Sequence, residues 1–211
     1  MEILKACGGI AQTNCFVIAD ELAKQAVLFD APNDTTDTLL DQCAAKGWDL
    51  IGLWLTHGHF DHIADHAVVT TRYPKCKLLI HRDDEPKLTG HYPQLFPLPF
   101  TVPTRKADAY VNDGDVLHIG SIEVRVLHTP GHAAGHVVYY LPKQNTLVGG
   151  DMIIGGSIGR TDLPDSDFDQ MRQSLKRIMA LPDETTLLPG HGPISNLGRE
   201  LHSNCVLQDV L

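Results

Sequence analysis

The sequence lacks the features that define several large classes of protein. It contains no run of about 18 apolar residues, which excludes a conventional transmembrane helix. Its 17 Lys and Arg residues stand against 26 Asp and Glu residues, for a formal net charge of −9, and no basic cluster interrupts this acidic balance. Such a chain offers no positive footprint for nucleic acid or for an anionic membrane. We therefore expect neither as a partner.

Paired cysteines and a leader segment are also missing. The five cysteines are widely spaced and contain no C-x-x-C pair, so neither a disulfide framework nor a zinc ribbon is expected. Near the N-terminus, Gly8-Gly9 and Gln12-Thr13-Asn14 interrupt the apolar residues, and no signal peptide is predicted. These absences predict a cytoplasmic protein with reduced thiols.

Histidine, in contrast, is abundant. The chain has 12 histidines among 211 residues. Its length fits one large domain, since domains average about 150 residues, and no linker divides it. We expect a single domain over residues 1–211, with the histidine excess as its main chemical feature.

Hydrophobic periodicity predicts two β-rich halves, each followed by helices. The predicted strands cover 16–18, 26–29, 50–55, 77–81, 115–119, 122–128, 137–141, 146–149 and 185–188. The predicted helices cover 36–46, 62–73, 167–180 and 197–204. The segment 83–106 has five prolines and is predicted to be a long crossing loop. Two sheets covered by helices on their outer sides make an α/β sandwich of four layers, αββα.

The strongest chemical signal is the string His57-Gly58-His59-Phe60-Asp61-His62, which follows the apolar strand 50–55. Imidazole and carboxylate are the ligands that zinc, iron and manganese prefer. We expect Gly58 to allow a tight turn, so that His57 and His59 converge on one ion. Asp61 and His62, at the start of the next helix, would face a second position nearby.

Three later strand ends each place a candidate ligand beside glycine. These are His132 in Thr-Pro-Gly-His, Asp151 in Gly-Gly-Asp, and His191 in Pro-Gly-His-Gly. Each alone is weak evidence, because a lone histidine after a strand is more often a packed residue and a lone aspartate is more often a cap. Their convergence with the first string predicts a metal site at one edge of the sandwich.

With these motifs the chain resembles the metallo-β-lactamase superfamily, and within it the single-domain glyoxalase II-like (hydroxyacylglutathione hydrolase-like) hydrolases. The similarity runs from Asp30 through H-x-H-x-D-H, TPGH, GGD and GRTDLP to the final PGHGP. It implies the four-layer metallo-β-lactamase fold and two divalent metal ions, zinc first, with iron or manganese as alternatives. The ligands that it implies are His57, His59 and His132 for one ion, Asp61, His62 and His191 for the other, Asp151 as the bridge between them, and Asp30 as a support behind the ligands.

The chemistry implied by this resemblance is hydrolysis by a hydroxide that bridges the two ions. Two ions about 3.5–4 Å apart can lower the pKa of a shared water toward about 7, and the catalytic role of Asp61 would be to orient it. A thioester such as S-D-lactoylglutathione suits the site, because a thiol with a pKa near about 8.5 can leave without a general acid.

Residues outside the ligand set have two interpretations each. Arg160 could bind a substrate carboxylate or pair with Asp162. His136 could support the TPGH loop as a hydrogen-bond donor or simply pack in the core. His66 is expected to pack against its helix. The histidines at 81, 91, 118 and 202 are expected at the surface or in loops.

The aromatic residues of the proline-rich segment, Tyr92, Phe96 and Phe100, could wall the cleft over the metals or form an oligomer contact. The sequence does not predict an oligomeric state. It also does not predict whether glutathione is bound.

Three other functions stay open at this level. The GRTD segment is shared with mononuclear-iron persulfide dioxygenases, although the histidine of PGHGP favours hydrolysis. A lactone or other ester could replace the thioester as substrate. A degenerate fold used only for binding is the third, and the complete set of expected ligands argues against it.

Overall fold

Two six-stranded sheets face each other in the computed structural model, which describes residues 1–91 and 97–211. In the first sheet β1 to β3 are antiparallel, and β3 to β6 are parallel. Its strands, in spatial order, are β1 (Glu2–Gly8), β2 (Thr13–Asp20), β3 (Gln25–Phe29), β4 (Asp49–Trp54), β5 (Lys77–His81) and β6 (Ala109–Val111).

The second sheet is mostly antiparallel, with one parallel pair between β10 and β13. Its strands, in spatial order, are β14 (Ser195–Asn196), β13 (Thr186–Pro189), β10 (Thr146–Gly150), β9 (Val137–Leu141), β8 (Ile122–His128) and β7 (Val116–Ile119). A small hairpin of β11 (Ile153–Ile154) and β12 (Ser157–Ile158) follows β10.

Helices cover the outer side of each sheet. They are α1 (Asp37–Ala45), α2 (Phe60–Ile63), α3 (His66–Arg72), α4 (Glu85–Leu88), α5 (Phe168–Ile178), α6 (Leu197–Ser203) and α7 (Cys205–Val210). None of the helices in the described part of the chain is long and apolar enough to cross a membrane.

Alternation along the strands separates three apolar layers. In β2, Cys15 and Val17 pack toward the first helical layer, whereas Phe16 and Ile18 pack between the sheets. A third cluster lies between the second sheet and α5 to α7 and includes Met171. The order helix, sheet, sheet, helix confirms the predicted four-layer α/β sandwich.

The structure differs from the prediction at the helix expected over 62–73, which is two helices, α2 and α3. The carbonyl of His62 accepts a hydrogen bond from the backbone N–H of Ala31, and the N–H of Asp65 donates to the carbonyl of Ala31. These bonds to a neighbouring segment replace part of the helical ladder, so the helix is interrupted between Ile63 and His66.

The predicted crossing loop also contains regular structure. A 3-10 turn at Arg82–Asp84 and helix α4 begin it, while residues 97–106 have no regular structure. Tyr92 and Phe96 lie outside the described residues. The strands β1 and β6 and the helix α7 were not expected from periodicity.

The strand directions place the site. The parallel strands β3, β4 and β5 end at the same edge of the first sheet, and β10 and β13 end at the matching edge of the second. Loops that follow these strands therefore meet at one edge of the sandwich.

Candidate metal centre

All seven predicted ligands lie together at this edge of the sandwich. They form overlapping groups in which one ligand atom of each residue lies within 4.8 Å of the others. The residues and their positions are His57 and His59 after β4, Asp61 and His62 in α2, His132 after β8, Asp151 after β10, and His191 after β13.

The first group, called here the three-histidine group, consists of His57, His59 and His132. His59 Nδ1 and His132 Nε2 are 2.9 Å apart. The ring of His57 lies 4.6 Å from that of His59 and 4.9 Å from that of His132, measured between centroids. Three imidazole nitrogens thus converge from two separate loops.

The second group, called here the Asp61 group, consists of Asp61, His62 and His191. Asp61 Oδ2 lies 3.5 Å from His62 Nε2 and 3.3 Å from His191 Nε2. The hydroxyl of Thr13 donates a hydrogen bond of 2.7 Å to the same oxygen. One carboxylate and two imidazoles therefore face a second common point.

Asp151 lies between the two groups and contacts both. Its Oδ2 is 3.4 Å from His132 Nε2 and 3.3 Å from His191 Nε2, and its Oδ1 is 3.4 Å from His62 Nε2. This position between the groups is the one that a bridging ligand requires.

Hydrogen bonds on the far side of each ring fix the tautomers. Thr56 donates its hydroxyl proton to Asp30, so its oxygen accepts from Nδ1 of His57 at 3.0 Å. His62 donates from Nδ1 to Asp30 at 2.8 Å, and His132 donates from Nδ1 to the carbonyl of Arg160 at 2.9 Å. In the neutral form of each ring the lone pair is then on Nε2, which is the arrangement found behind metal-binding histidines.

One of these nitrogens is otherwise unexplained. Nε2 of His57 is buried and has no hydrogen-bond partner among residues 1–91 and 97–211. An unpaired buried polar atom is costly, and here it points into a set of nitrogen and oxygen donors. A divalent metal of the zinc, iron or manganese type fits this set.

Asp30, which the resemblance implies as a support behind the ligands, contacts the loop after β4 at two points, Thr56 and His62. Its carboxylate accepts hydrogen bonds from the backbone N–H of Thr56 at 2.7 Å, from the Thr56 hydroxyl at 2.8 Å, and from His62. Its backbone has a φ of 60°, which a residue with a side chain seldom adopts. Such strain is concentrated at functional sites.

The two groups differ in charge when no metal is bound. Burial and the neighbouring imidazoles hold the pKa of His57 well below its usual value, and burial also lowers the pKa of His132. Burial alone would raise the pKa of Asp61, but His62 and the hydrogen bond from His191 lower it to about 2. Against the effect of burial, hydrogen bonds to Asp151 and Asp61 raise the pKa of His191 to about 10. His57 and His132 are thus neutral, and the second group contains imidazolium–carboxylate pairs.

A cleft with a volume of about 930 Å³ opens above the ligands. Phe60, Phe100 and Leu163 provide apolar walls, and Arg160 lies at its exposed side. The guanidinium of Arg160 forms two hydrogen bonds with Asp162, at 2.6 and 2.8 Å. The structure therefore shows the ion pair with Asp162 and also places Arg160 where a substrate could reach it.

His136 is wholly buried and holds Asp151. The backbone N–H of Asp151 donates to its Nε2 at 3.1 Å, so its Nδ1 donates to the Thr129 hydroxyl at 3.0 Å. The sequence analysis considered His136 as a support for the TPGH loop. In the structure it bonds that loop through Thr129 and the GGD loop through Asp151. His66 packs in the helical layer, with Nδ1 on the carbonyl of Ile63 at 2.7 Å.

The sequence analysis missed Thr13 and Asn14. Besides the bond from Thr13 to Asp61, the amide of Asn14 donates to the carbonyls of Pro189 and Gly192, both at 2.9 Å, on either side of His191. A sequence signal was available, since this polar pair directly precedes the apolar run 15–19 of a predicted strand.

A separate group of His81, Asp83 and His128 also has metal-ligand spacing. The two imidazole rings are stacked, with centroids 4.1 Å apart and planes inclined by 9°. The lone pairs of parallel rings lie in the ring planes and do not converge on one point. We assign no metal to this group.

The comparisons with known proteins agree with this geometry. A family model described as the metallo-beta-lactamase superfamily matches residues 8–191. The hydroxyacylglutathione hydrolase GloC of Haemophilus influenzae is 29% identical, over 92% of this chain and 92% of its own length.

Solved structures are similar over nearly the whole chain. BLEG-1, described as a B3 metallo-beta-lactamase, is 32% identical with a TM-score of 0.87, over 98% of this chain and 99% of that one. TTHA1623, solved in a di-iron-bound form, is 32% identical with a TM-score of 0.77, over 95% of this chain and 98% of that one. ETHE1 from Myxococcus xanthus is 26% identical with a TM-score of 0.78, over 97% and 83%.

Proposed function

The chain belongs to the metallo-beta-lactamase superfamily of metal-dependent hydrolases, and from this premise we propose that it is a binuclear metal-dependent thioesterase of the glyoxalase II type. The observation that supports two ions is the position of Asp151, which contacts His132 of the three-histidine group and both histidines of the Asp61 group. The observation that supports a thioester is the similarity to GloC.

Two divalent ions, for which zinc is the preferred candidate, would activate a water molecule and polarise the carbonyl oxygen of the substrate. Asp61 is ionised at neutral pH, because its pKa is lowered to about 2. Thr13 and His191 hold its Oδ2. The carboxylate can therefore accept a hydrogen bond from the attacking water and orient it toward the cleft.

The cleft fits a thioester with an apolar acyl or thiol portion. Phe60, Phe100 and Leu163 can cover that portion and exclude bulk water. A thiol leaving group has a pKa near about 8.5 and can depart as a thiolate, so the reaction needs no general acid. Where the thiol contains a carboxylate, as in glutathione, the Arg160 guanidinium can bind that carboxylate in place of the carboxylate of Asp162.

A second candidate is a mononuclear-iron persulfide dioxygenase. The segment Gly159-Arg160-Thr161-Asp162 raised it, and the structural similarity to ETHE1 is compatible with it. Against it stands the complete Asp61 group, in which His191 would supply the third ligand of a second metal position. The di-iron form of TTHA1623 is consistent with two ions in a similar chain.

A substrate panel at known metal content separates these functions. The purified protein would be assayed with S-D-lactoylglutathione, an oxygen ester, a lactone and glutathione persulfide, with metal measured in the same sample. We expect thioester hydrolysis at close to two divalent ions per chain. One iron per chain with oxygen consumption on the persulfide would contradict the thioesterase and support the second candidate.

A further inference from the structure

A buried carboxylate outside the ligand set connects the loops of the three-histidine group. Asp84 ends the 3-10 turn after β5, and its side chain is wholly buried. Its Oδ2 accepts a hydrogen bond of 2.6 Å from the backbone N–H of Gly58, between His57 and His59. Its Oδ1 accepts one of 2.8 Å from the N–H of Gly135, in the loop of His132. One side chain thus holds both loops.

The two glycines are needed for this close approach. A Cβ on Gly58 would lie 2.9 Å from the carbonyl oxygen of Asp84, and one on Gly135 would lie 2.7 Å from the nitrogen of Asp84. Gly58 has no positive φ and lies outside any turn. The tight turn expected at Gly58 from the sequence is therefore wrong, and the glycine is required by the neighbouring Asp84.

Lys87 compensates the charge of this carboxylate. Its Nζ lies 2.7 Å from Asp84 Oδ1 and 2.6 Å from Asp165 Oδ2, and its side chain is only 5% exposed. Asp165 Oδ1 in turn lies 4.0 Å from His59 Nε2, on the side of that ring away from His132. A buried charge needs such partners to be tolerated. The network extends from both loop backbones to the outer face of His59.

We propose that Asp84 is a positioning residue that sets the distance between the two loops and thereby the metal affinity of the three-histidine group. The Asp61 group does not depend on it, because Asp30 holds His62 and Thr13 holds Asp61. Partners behind metal ligands typically change affinity by about 10–100-fold when removed. The inference rests on the metal centre of the proposed function and is independent of the substrate.

The test is Asp84→Asn, with Asp20→Asn as its matched control. The asparagine keeps the size of the side chain. Its amide has only one oxygen, so one of the two backbone N–H groups that Asp84 accepts from would face an N–H₂ group and lose its acceptor. Asp20 is also a buried carboxylate and accepts bonds from the N–H groups of Leu22, Ala23 and Ser121, at 3.0, 3.1 and 2.8 Å. It is the last residue of β2, beside the start of β3 and therefore at the end of that strand away from Asp30.

Each metal-free protein would be titrated with Zn²⁺ in competition with a chromophoric chelator, and thermal unfolding would be recorded on the same samples. For Asp84→Asn we expect one of two dissociation constants to rise by about 10–100-fold while the other changes little. For Asp20→Asn we expect a lower melting temperature with both constants unchanged. Unchanged constants in Asp84→Asn, or equal weakening in both variants, would overturn the proposal.

Two further outcomes are distinguishable. If Asp84→Asn does not fold, Gly135→Ala answers the same question, since it keeps the carboxylate but displaces it from the loop. Selective weakening of one constant in that variant supports the proposal, and two unchanged constants overturn it. A wild-type protein that binds fewer than two ions would instead contradict the binuclear centre of the proposed function.

Discussion

The two halves of the metal centre are held in different ways. The three-histidine group depends on the relative position of two loops, whose backbones share the carboxylate of Asp84. In the Asp61 group the ligand side chains themselves have partners, Asp30 for His62 and Thr13 for Asp61. His57 and His132 have partners behind their rings as well, in Thr56 and the Arg160 carbonyl, so the difference between the groups is the shared carboxylate that joins the two loop backbones of the first.

The charge differs in parallel with the support. His57 and His132 have lowered pKa values and are neutral, which is the state that a metal binds. His191, with a pKa raised to about 10, is paired as an imidazolium with Asp61 and Asp151 in the metal-free protein. His57 and His132 can therefore bind a metal ion without losing a proton, whereas His191 must lose one, and with it the ion pairs to Asp61 and Asp151.

The largest effect is expected where the two groups meet. Asp151→Ala removes a carboxylate that contacts both, so it should abolish turnover and lower the metal content of the protein together. His59→Ala should do the same through the first group alone. The measurement is metal content by elemental analysis alongside thioester turnover. Full activity in either variant would refute the centre as described.

A second variant tests the side-chain support of the Asp61 group. Thr13→Val removes the hydroxyl that donates to Asp61 at 2.7 Å and keeps the shape of the side chain. We expect kcat to fall by about 10–100-fold and one metal dissociation constant to rise by a similar factor. The constant that rises should be the one that Asp84→Asn leaves unchanged. Thr13→Ser should restore both. If the two variants weaken the same constant, the division into two independently held groups is wrong.

A smaller effect is expected at the cleft, where neither group is touched. Arg160→Ala should raise KM for a thioester with a carboxylate by about 3–10-fold and leave KM for a neutral thioester nearly unchanged, since an exposed guanidinium contributes modestly. Steady-state kinetics on the two substrates measure the difference. Equal changes in KM for both would remove Arg160 from substrate binding.

The smallest effect concerns the stack of His81 on His128, whose Nε2 bonds the carbonyl of Ala134 beside Gly135. Burial, and then His128, lower the pKa of His81 below 6.5. As the pH falls below 6.5, His81 is protonated in the unfolded chain before it is protonated in the folded protein, so the free energy of unfolding decreases. We expect His81→Phe to lose less unfolding free energy than wild type between about pH 7.5 and 5.5.

The control for this comparison is His118→Phe, at an exposed histidine. Denaturant unfolding of the metal-free proteins at both pH values gives the difference, because the other titrating groups are common to all three. A pH dependence in His81→Phe equal to that of wild type would show that the stack does not couple to protonation.

The sequence predicted the fold class and placed the seven ligands at one edge because both signals are local. The strands 77–81, 122–128 and 137–141 have the predicted bounds, and each ligand follows a strand within a short motif with glycine or histidine neighbours. The break between α2 and α3 was not predictable from periodicity, since it depends on hydrogen bonds of Ala31 to His62 and Asp65.

Asp84 shows why the remainder was missed. It stands in a proline-rich segment, and its partners Gly58 and Gly135 are distant in the chain, so no spacing links them. The single domain over 1–211, the cytoplasmic location, the small-molecule partner and the role of Arg160 stay predictions. The last three depend on the cell or on a substrate rather than on the packing of the chain.

Stepwise reconstitution tests the binuclear hydrolase most directly. Metal-free protein would receive Zn²⁺ in fractions of an equivalent, and thioester turnover would be measured at each addition. With a centre in which Asp151 joins both groups, we expect turnover to rise until two equivalents per chain are bound. Full turnover at one equivalent, with no change on adding the second, would contradict it.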